Sequence, residues 1–241
     1  MCGGEKDEST SEKLLGVIVN NTATFRNHFY GDEENVGLIK QLSLRVNMLN
    51  RLRRFLSPAR LKLVMEGLFS SKLIYGITVW GRVWGIPGSL DEEARASRTM
   101  TKEDLRKLQV LQNKCMRLVA SSEYRTPTEH LLRATGSLSV HQRTAQLTLA
   151  QVHSISRFKK PSYHYNRLFG NAGQTNQPDT RSARQGINRI EFRLSLARAS
   201  FFYQASRLWS ALPVEVRNIQ NKAMFKEKSK TWVKKNIVIK P

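Results

Sequence analysis

LIKQLSLRVNMLNRLRRFLSPARLKLVMEGL, residues 38–68, sets the helical character of the chain. Leu38, Leu42, Leu49, Leu52 and Leu56 recur at three-, four- and seven-residue steps, the stripe of a helix that buries one face. Ser57 then offers an N-cap hydroxyl, and Pro58 brings a pre-set φ to the first helical position, where a missing N–H costs nothing. Leu61, Met65 and Leu68 continue the stripe. The prediction is a helical hairpin with a very short connection. Five cations crowd that connection: Arg51, Arg53, Arg54, Arg60 and Lys62.

Upstream, KLLGVIVN (13–20) is an apolar, β-branched run closed by Asn20-Asn21, which reads as a short buried strand and a turn. Residues 28–37, with Gly31-Asp32-Glu33-Glu34, read as a solvated loop. Downstream, KLIYGITVWGRVW (72–84) alternates Tyr75, Ile77 and Val79 but carries two glycines, so helix and strand both stay open. GIPGSLDEEARASRTM (85–100) reads as a linker or surface loop.

Three helix starts follow. Thr101 with Asp104 forms a capping-box pattern ahead of Leu105, Leu108, Leu111, Cys115 and Leu118. Thr126-Pro127-Thr128-Glu129 repeats the device before a short helix ending at Gly136, and Ser139 with Gln142 leads into Ala145, Leu149, Val152 and Ile155. Residues 170–186 carry almost no apolar content and mark a flexible boundary. In Arg189–Ala197 the residues Ile190, Phe192, Leu194 and Leu196 alternate as in a strand, while Ile190, Leu194, Ala197 and Phe201 also fit a helix. Ser200–Leu212 and Ala223–Lys235 read as helices, the latter with Phe225 and Trp232 on one face. The chain thus divides into a polar tail (1–12), a strand plus helical hairpin (13–84), a linker (85–100), a helical module (101–169), a flexible boundary (170–188) and a basic C-terminal module (189–241). The expected fold class is mainly α-helical, with a short N-terminal strand and a small α+β C-terminal module.

Charge then narrows the function. The 241 residues include 40 Lys plus Arg against 19 Asp plus Glu, a formal net charge of +21. Residues 1–50 hold five basic and seven acidic side chains (−2), 51–150 hold 17 and eight (+9), and 151–241 hold 18 and four (+14). Such an excess repels itself in the compact state, and a phosphate backbone relieves it more often than an anionic membrane surface or an acidic protein does. No apolar run reaches the ~18 residues of a spanning helix, and the opening MCGGEKDEST is unlike a secretory leader, so an intracellular protein with no membrane partner is expected, nucleus or cytoplasm left open. Cys2 and Cys115 are too few for a four-thiolate zinc site or a disulfide framework.

Enzyme signatures are missing: there is no GxxxxGK, GxSxG or HExxH, and His28, His130, His141, His153 and His164 lack ligand spacing. Asp7, Asp32, Asp91, Asp104 and Asp179 never pair, so no local two-carboxylate clamp for phosphoryl transfer is visible. Pro178-Asp179 with Glu191-Phe192-Arg193 echoes metal-dependent nucleases of the PD-ExK kind. Arg193 replaces their lysine, however, and spacing this loose recurs by chance in a basic chain. No catalytic residue, metal or cofactor is therefore assigned. The basic constellations are the stronger signal. Besides the hairpin cluster, Lys222, Lys226, Lys230 and Lys234 form an i, i+4 ladder relieved only by Glu227, and Arg181, Arg184, Arg189 and Arg193 make a third group. Each like-charge step costs an isolated helix ~0.2–0.5 kcal/mol, which an anion lying along the ladder would offset. A solvated lysine face and a solvated turn are the plainer readings of the same residues. Trp80, Trp84, Phe201, Phe202, Trp209, Phe225 and Trp232 stand at helical spacing among Leu and Ala, which assigns them to core packing before base stacking.

KLLGV (13–17), Phe25 with His28, the helix leading to LRRFLSP (52–58), and LIYGITVWG (73–81) together resemble the palm end and thumb of non-LTR retrotransposon reverse transcriptases. LQVLQNKCMRLV (108–119), TPTEHLL (126–132), PDTRS (178–182), SFF…LWSALP (200–213) and MFKEKSKTWV (224–233) are similar to the region after the thumb, so the likeness runs in order over nearly the whole chain from about Lys13. The resemblance implies that Leu15, Gly16 and Val17 lie on the sheet strand near a primer terminus. It also implies that Arg51 to Lys62 belong to a thumb gripping an RNA–DNA duplex from its minor-groove side. The polymerase centre of that family needs an Asp-Asp motif and a further Asp, and this chain has no such motif; a cysteine-rich knuckle and an endonuclease domain are absent too. The expectation is a non-catalytic C-terminal part of a retrotransposon-derived reverse transcriptase, with RNA, DNA or an RNA–DNA hybrid as partner and the parent's palm and fingers as a further one. The alternatives are a basic helical interaction or scaffold protein and a degenerate copy of the element.

Overall fold

In the computed structural model, which describes residues 11–21, 24–87, 99–170, 187–188 and 200–237, the apolar run at 13–20 is a hairpin and not one strand. β1 (Ser11–Leu14) pairs antiparallel with β2 (Val17–Asn20), Leu14 opposite Val17. Leu15 and Gly16 both take positive φ, 48° and 84°, as a two-residue hairpin turn requires, and the glycine supplies that conformation without strain. Val17 and Ile18 are buried, whereas Leu14 and Leu15 at the turn are exposed. Residues 28–37, expected as a loop, begin inside a short helix, α1 (Arg26–Tyr30), because His28 and Phe29 are drawn into the core. Phe29 meets Trp80 edge-on at 5.4 Å. The rest is a turn as expected, held by Asp32, whose carboxylate accepts from the backbone of Glu34 and Asn35.

The hairpin of helices forms where expected. α2 (Leu38–Leu52) buries Leu38, Leu42, Val46 and Leu49, and α3 (Pro58–Met65) starts with Pro58 at its first turn. Ser57 holds the N-cap position, but its hydroxyl makes no capping bond. α3 runs on through a π-helical turn (Glu66–Ser70) into α4 (Ser71–Ile74). The π turn explains a departure from the predicted stripe. Leu61, Met65, Phe69, Leu73 and Ile77 are all buried, a strict four-residue spacing that would drift around an α-helix of 3.6 residues per turn. One wider turn absorbs the drift, so Phe69 takes the core position expected for Leu68.

The stretch 72–84, left open between helix and strand, is helical at both ends of a break. Gly76 (φ 65°) separates α4 from α5 (Ile77–Trp80), and a Cβ there would sit 3.0 Å from Val17 Cγ2. Residues 81–86 then form no regular element, with Gly85 at a positive φ of 64°. The Val83 N–H donates to Gln204 Oε1 (2.6 Å) and the Trp84 N–H to His141 Nε2 (2.8 Å). Both described ends of the expected linker are packed, with Ile86 and Met100 buried and the Met100 N–H donating to the Trp80 carbonyl.

α6 (Lys102–Ala120) and α8 (Val140–Phe158) open on complete capping boxes, Thr101 with Asp104 and Ser139 with Gln142. α7 (Thr128–Thr135) starts one residue later than the Thr126 pattern suggests. Pro127 occupies its N-cap, and Gly136 closes it in the left-handed conformation. α9 (Ser162–Phe169), α10 (Phe201–Ala211), α11 (Val214–Arg217) and α12 (Lys222–Asn236) complete the described elements. The protein is mainly helical, with one small two-stranded sheet near its N-terminus. Two apolar cores share α8. One gathers β2, α1–α7 and Val140; the other gathers Val83, Ile86, Ala145, Leu149, Val152 and Ile155 with α9, α10 and α12. Trp80, Trp84, Trp209 and Phe225 are buried, and Phe201, Phe202 and Trp232 pack partly buried, so the aromatic set serves the cores. The strand-or-helix alternative at Arg189–Ala197 falls outside the described residues.

Candidate nucleic-acid interface

The α2–α3 connection is a turn built on backbone hydrogen bonds. The Arg53 N–H donates to the Leu49 carbonyl, and the N–H groups of Phe55 and Leu56 both donate to Leu52. Leu52 and Leu56 pack partly buried on the core and pin the turn from beneath. Arg51, Arg53, Arg54 and Arg60 are left exposed around it, and Lys62 lies half-buried further along α3. Among the described residues no carboxylate pairs with any of the five. Arg51 and Arg53 stand at the C-terminal end of α2, where its dipole favours cations.

The lysine ladder occupies α12, which is capped by Asn221 accepting from the backbone of Ala223 and Met224 and docked by Phe225, Ser229 and Val233 against α8. The ladder lies one residue, about 100°, round the helix from the buried stripe 225, 229 and 233, so it flanks the docked face. Lys222, Lys226 and Lys234 are exposed, and Lys230 is half-buried. Its Nζ donates to the Gly136 carbonyl at 3.3 Å, at the C-terminal end of α7. A Cβ on Gly136 would lie 3.9 Å from Lys62 Nζ, so the α3 lysine reaches the same spot. Burial, followed by Lys234, Arg143 and Lys62, holds the Lys230 ammonium below the ordinary lysine range, with Glu66 as the partial relief. Sequence-distant cations from α3, α8 and α12 therefore share one surface around Gly136. Arg143, which no sequence motif singles out, is fixed there by donating to Gln146 Oε1, and Gln146 in turn donates to the Lys226 carbonyl.

The structure thus joins Lys62 to the α12 ladder, with Arg51, Arg53, Arg54 and Arg60 leading away along the hairpin. Arg181, Arg184, Arg189 and Arg193 lie outside the described residues, as do Asp179 and Glu191. A separate basic group, also without a sequence signature, forms where burial and then Arg45 and Lys13 lower the pKa of Lys72. Periodicity had no means to find Arg143 or this second group, since each depends on contacts between elements.

Titratable groups in the interior are structural. His28 Nδ1 accepts from the Ile18 N–H, and His141 Nε2 accepts from Trp84; burial drives both pKa values down to about 4. His153 stacks on Phe225 at 4.1 Å with Nε2 2.8 Å from the Ile219 carbonyl. Burial pushes the Cys115 thiol up to about 12, which leaves no reactive thiolate. Among the described residues no three His, Cys, Asp or Glu side chains are grouped to hold a metal ion, and no helix is long and apolar enough to cross a membrane. No family model, curated protein or solved structure matches the chain.

Proposed function

We propose that this chain is a non-catalytic, nucleic-acid-binding part of a retrotransposon-derived reverse transcriptase, holding RNA, DNA or their hybrid through phosphate contacts. The observation that carries the reading is the meeting of Lys62 and Lys230 at Gly136, which turns two basic segments far apart in sequence into one surface where, among the described residues, neither lysine forms a salt bridge and Glu66 gives only partial relief to Lys230. Phosphates brought to that surface relieve the mutual repulsion of Lys62, Arg143, Lys230 and Lys234. The order of family-like segments from Lys13 onward supports a retroelement origin and a template–primer duplex among the partners. The absence of the Asp-Asp motif from the sequence supports binding without polymerisation. Titration of an RNA–DNA hybrid at several salt concentrations tests the reading. The expected result is an association constant falling linearly with salt on logarithmic axes; no binding at low salt, or binding indifferent to salt, overturns it.

A second reading is favoured by Leu15, 83% exposed, and Tyr75, half exposed, whose hydroxyl donates to the Leu15 carbonyl at 2.6 Å. Together with Leu14 they form an apolar edge suited to a protein partner, such as the palm of the parent enzyme. Light scattering separates the two readings: self-association through this edge with no uptake of nucleic acid favours the interaction module.

A further inference from the structure

Phe55 stands at the tip of the α2–α3 turn with 81% of its surface exposed, between Arg54 and Leu56 in sequence. Its neighbours explain how it is held there. Leu52 and Leu56 take the inward positions of the turn, and hydrogen bonds from the N–H groups of 53, 55 and 56 fix the backbone, so the ring is presented by a braced turn. Tyr124, an equally exposed aromatic at 82%, has the Arg117 guanidinium over its ring at 5.4 Å. Phe55 has no such cover among the described residues. A flat apolar face therefore projects from the middle of four exposed arginines: Arg51, Arg53, Arg54 and Arg60.

We propose that Phe55 is a stacking platform for an unpaired nucleobase, so that the hairpin tip engages single-stranded segments and strand ends in preference to uninterrupted duplex. The inference rests on the nucleic-acid reading above and deepens it. A polynucleotide presents the two chemistries the tip displays, phosphate for the guanidiniums and an apolar π face for the ring. In a continuous helix the base faces are already stacked on one another, so only an unpaired base has a free face to offer. The arginines supply salt-dependent attraction, and the ring adds a component insensitive to salt.

The test compares a blunt RNA–DNA hybrid with the same hybrid carrying a short unpaired overhang that contains 2-aminopurine. The full chain is expected to bind the overhang substrate about tenfold more tightly and to alter 2-aminopurine emission. Phe55→Ala and Phe55→Leu should erase both effects while leaving the salt slope and the thermal melting temperature of the protein unchanged, and Phe55→Trp should retain them. Leucine keeps an apolar side chain and loses the π face, so an unimpaired Phe55→Leu overturns stacking. Equal preference in wild type and Phe55→Ala overturns the proposal while nucleic-acid binding stands, and so does a Phe55→Ala effect confined to self-association measured by sedimentation. Failure of the wild-type chain to bind either substrate removes the underlying reading as well.

Discussion

The ammonium of Lys230 donates a 3.3 Å hydrogen bond to the carbonyl oxygen of Gly136, 94 residues earlier in the chain, and so caps α7 from α12. One lysine of a four-lysine ladder is thereby committed to the fold while its neighbours on the ladder stay exposed. The cap also explains how a helix rich in like charge docks beside Lys62, since the carbonyl end of α7 carries negative dipole charge toward both cations.

Lys62 and Lys230 are expected to act as a coupled pair in binding. Lys62→Ala and Lys230→Ala should each reduce the slope of log affinity against log salt by about one. Their combined effect should fall short of the sum of the single losses, because removing one relieves the repulsion on the other. Fluorescence anisotropy with a labelled hybrid measures this, and full additivity would contradict a shared surface.

The arginines at the hairpin tip are predicted to behave independently of that pair. Alanine at Arg51, Arg54 or Arg60 should flatten the slope by about one for each phosphate that the variant no longer holds. These side chains are exposed and make no ion pair among the described residues, so stability from urea denaturation should stay within ~0.5 kcal/mol of wild type. A large loss of stability would assign them to the fold.

Acid should unfold the protein through two histidines. His28 and His141 are buried, with folded pKa values lowered from 6.5 to about 4, so the unfolded chain takes up their protons first. The stability they contribute is complete above pH 6.5, declines as the pH falls below it and is lost by about pH 4. The expected decline is about 3 kcal/mol for each histidine at its largest. Denaturation midpoints followed between pH 7 and 4 check it, and a flat profile in the His28→Gln, His141→Gln double variant would assign the decline to these groups.

Asp104 ties a local cap to a distant contact. Its carboxylate accepts from the Thr101 N–H at 3.0 Å and from the Tyr30 hydroxyl at 2.6 Å, joining α1 to the start of α6. Tyr30→Phe should cost about 1 kcal/mol, chiefly the net worth of the bond to Asp104, since the second bond of the hydroxyl, accepted from the Lys107 ammonium at 3.0 Å, is exposed. Asp104→Ala removes the capping box as well and should cost about 2 kcal/mol. Equal losses in urea melts would mean that the capping box carries nothing beyond the interhelical bond.

The sequence alone determined most of the helices and their starts, the core role of the aromatic residues and the location of the hairpin. The reason is range: a capping box spans three residues and an apolar stripe repeats within four, so Thr101, Ser139 and the α2 leucines declare themselves locally. Where a local rule failed, a longer-range contact outweighed it. Leu15-Gly16 folds an apparent strand back on itself, and the packing of His28 and Phe29 makes a helix of an expected loop. The π turn exchanges Leu68 for Phe69 because the core extends beyond Met65.

Tertiary structure alone decided which cations form a site. Lys62, Arg143 and Lys230 come from three helices with no spacing rule between them, and they meet because α12 lays Phe225 and Val233 against α8 while α7 ends at Gly136 beside both lysines. Tertiary packing also left Phe55 outside, since Leu52 and Leu56 fill the inward positions of their turn. Charge is an additive property of a sequence, whereas an electrostatic surface depends on where burial of apolar residues leaves the charges.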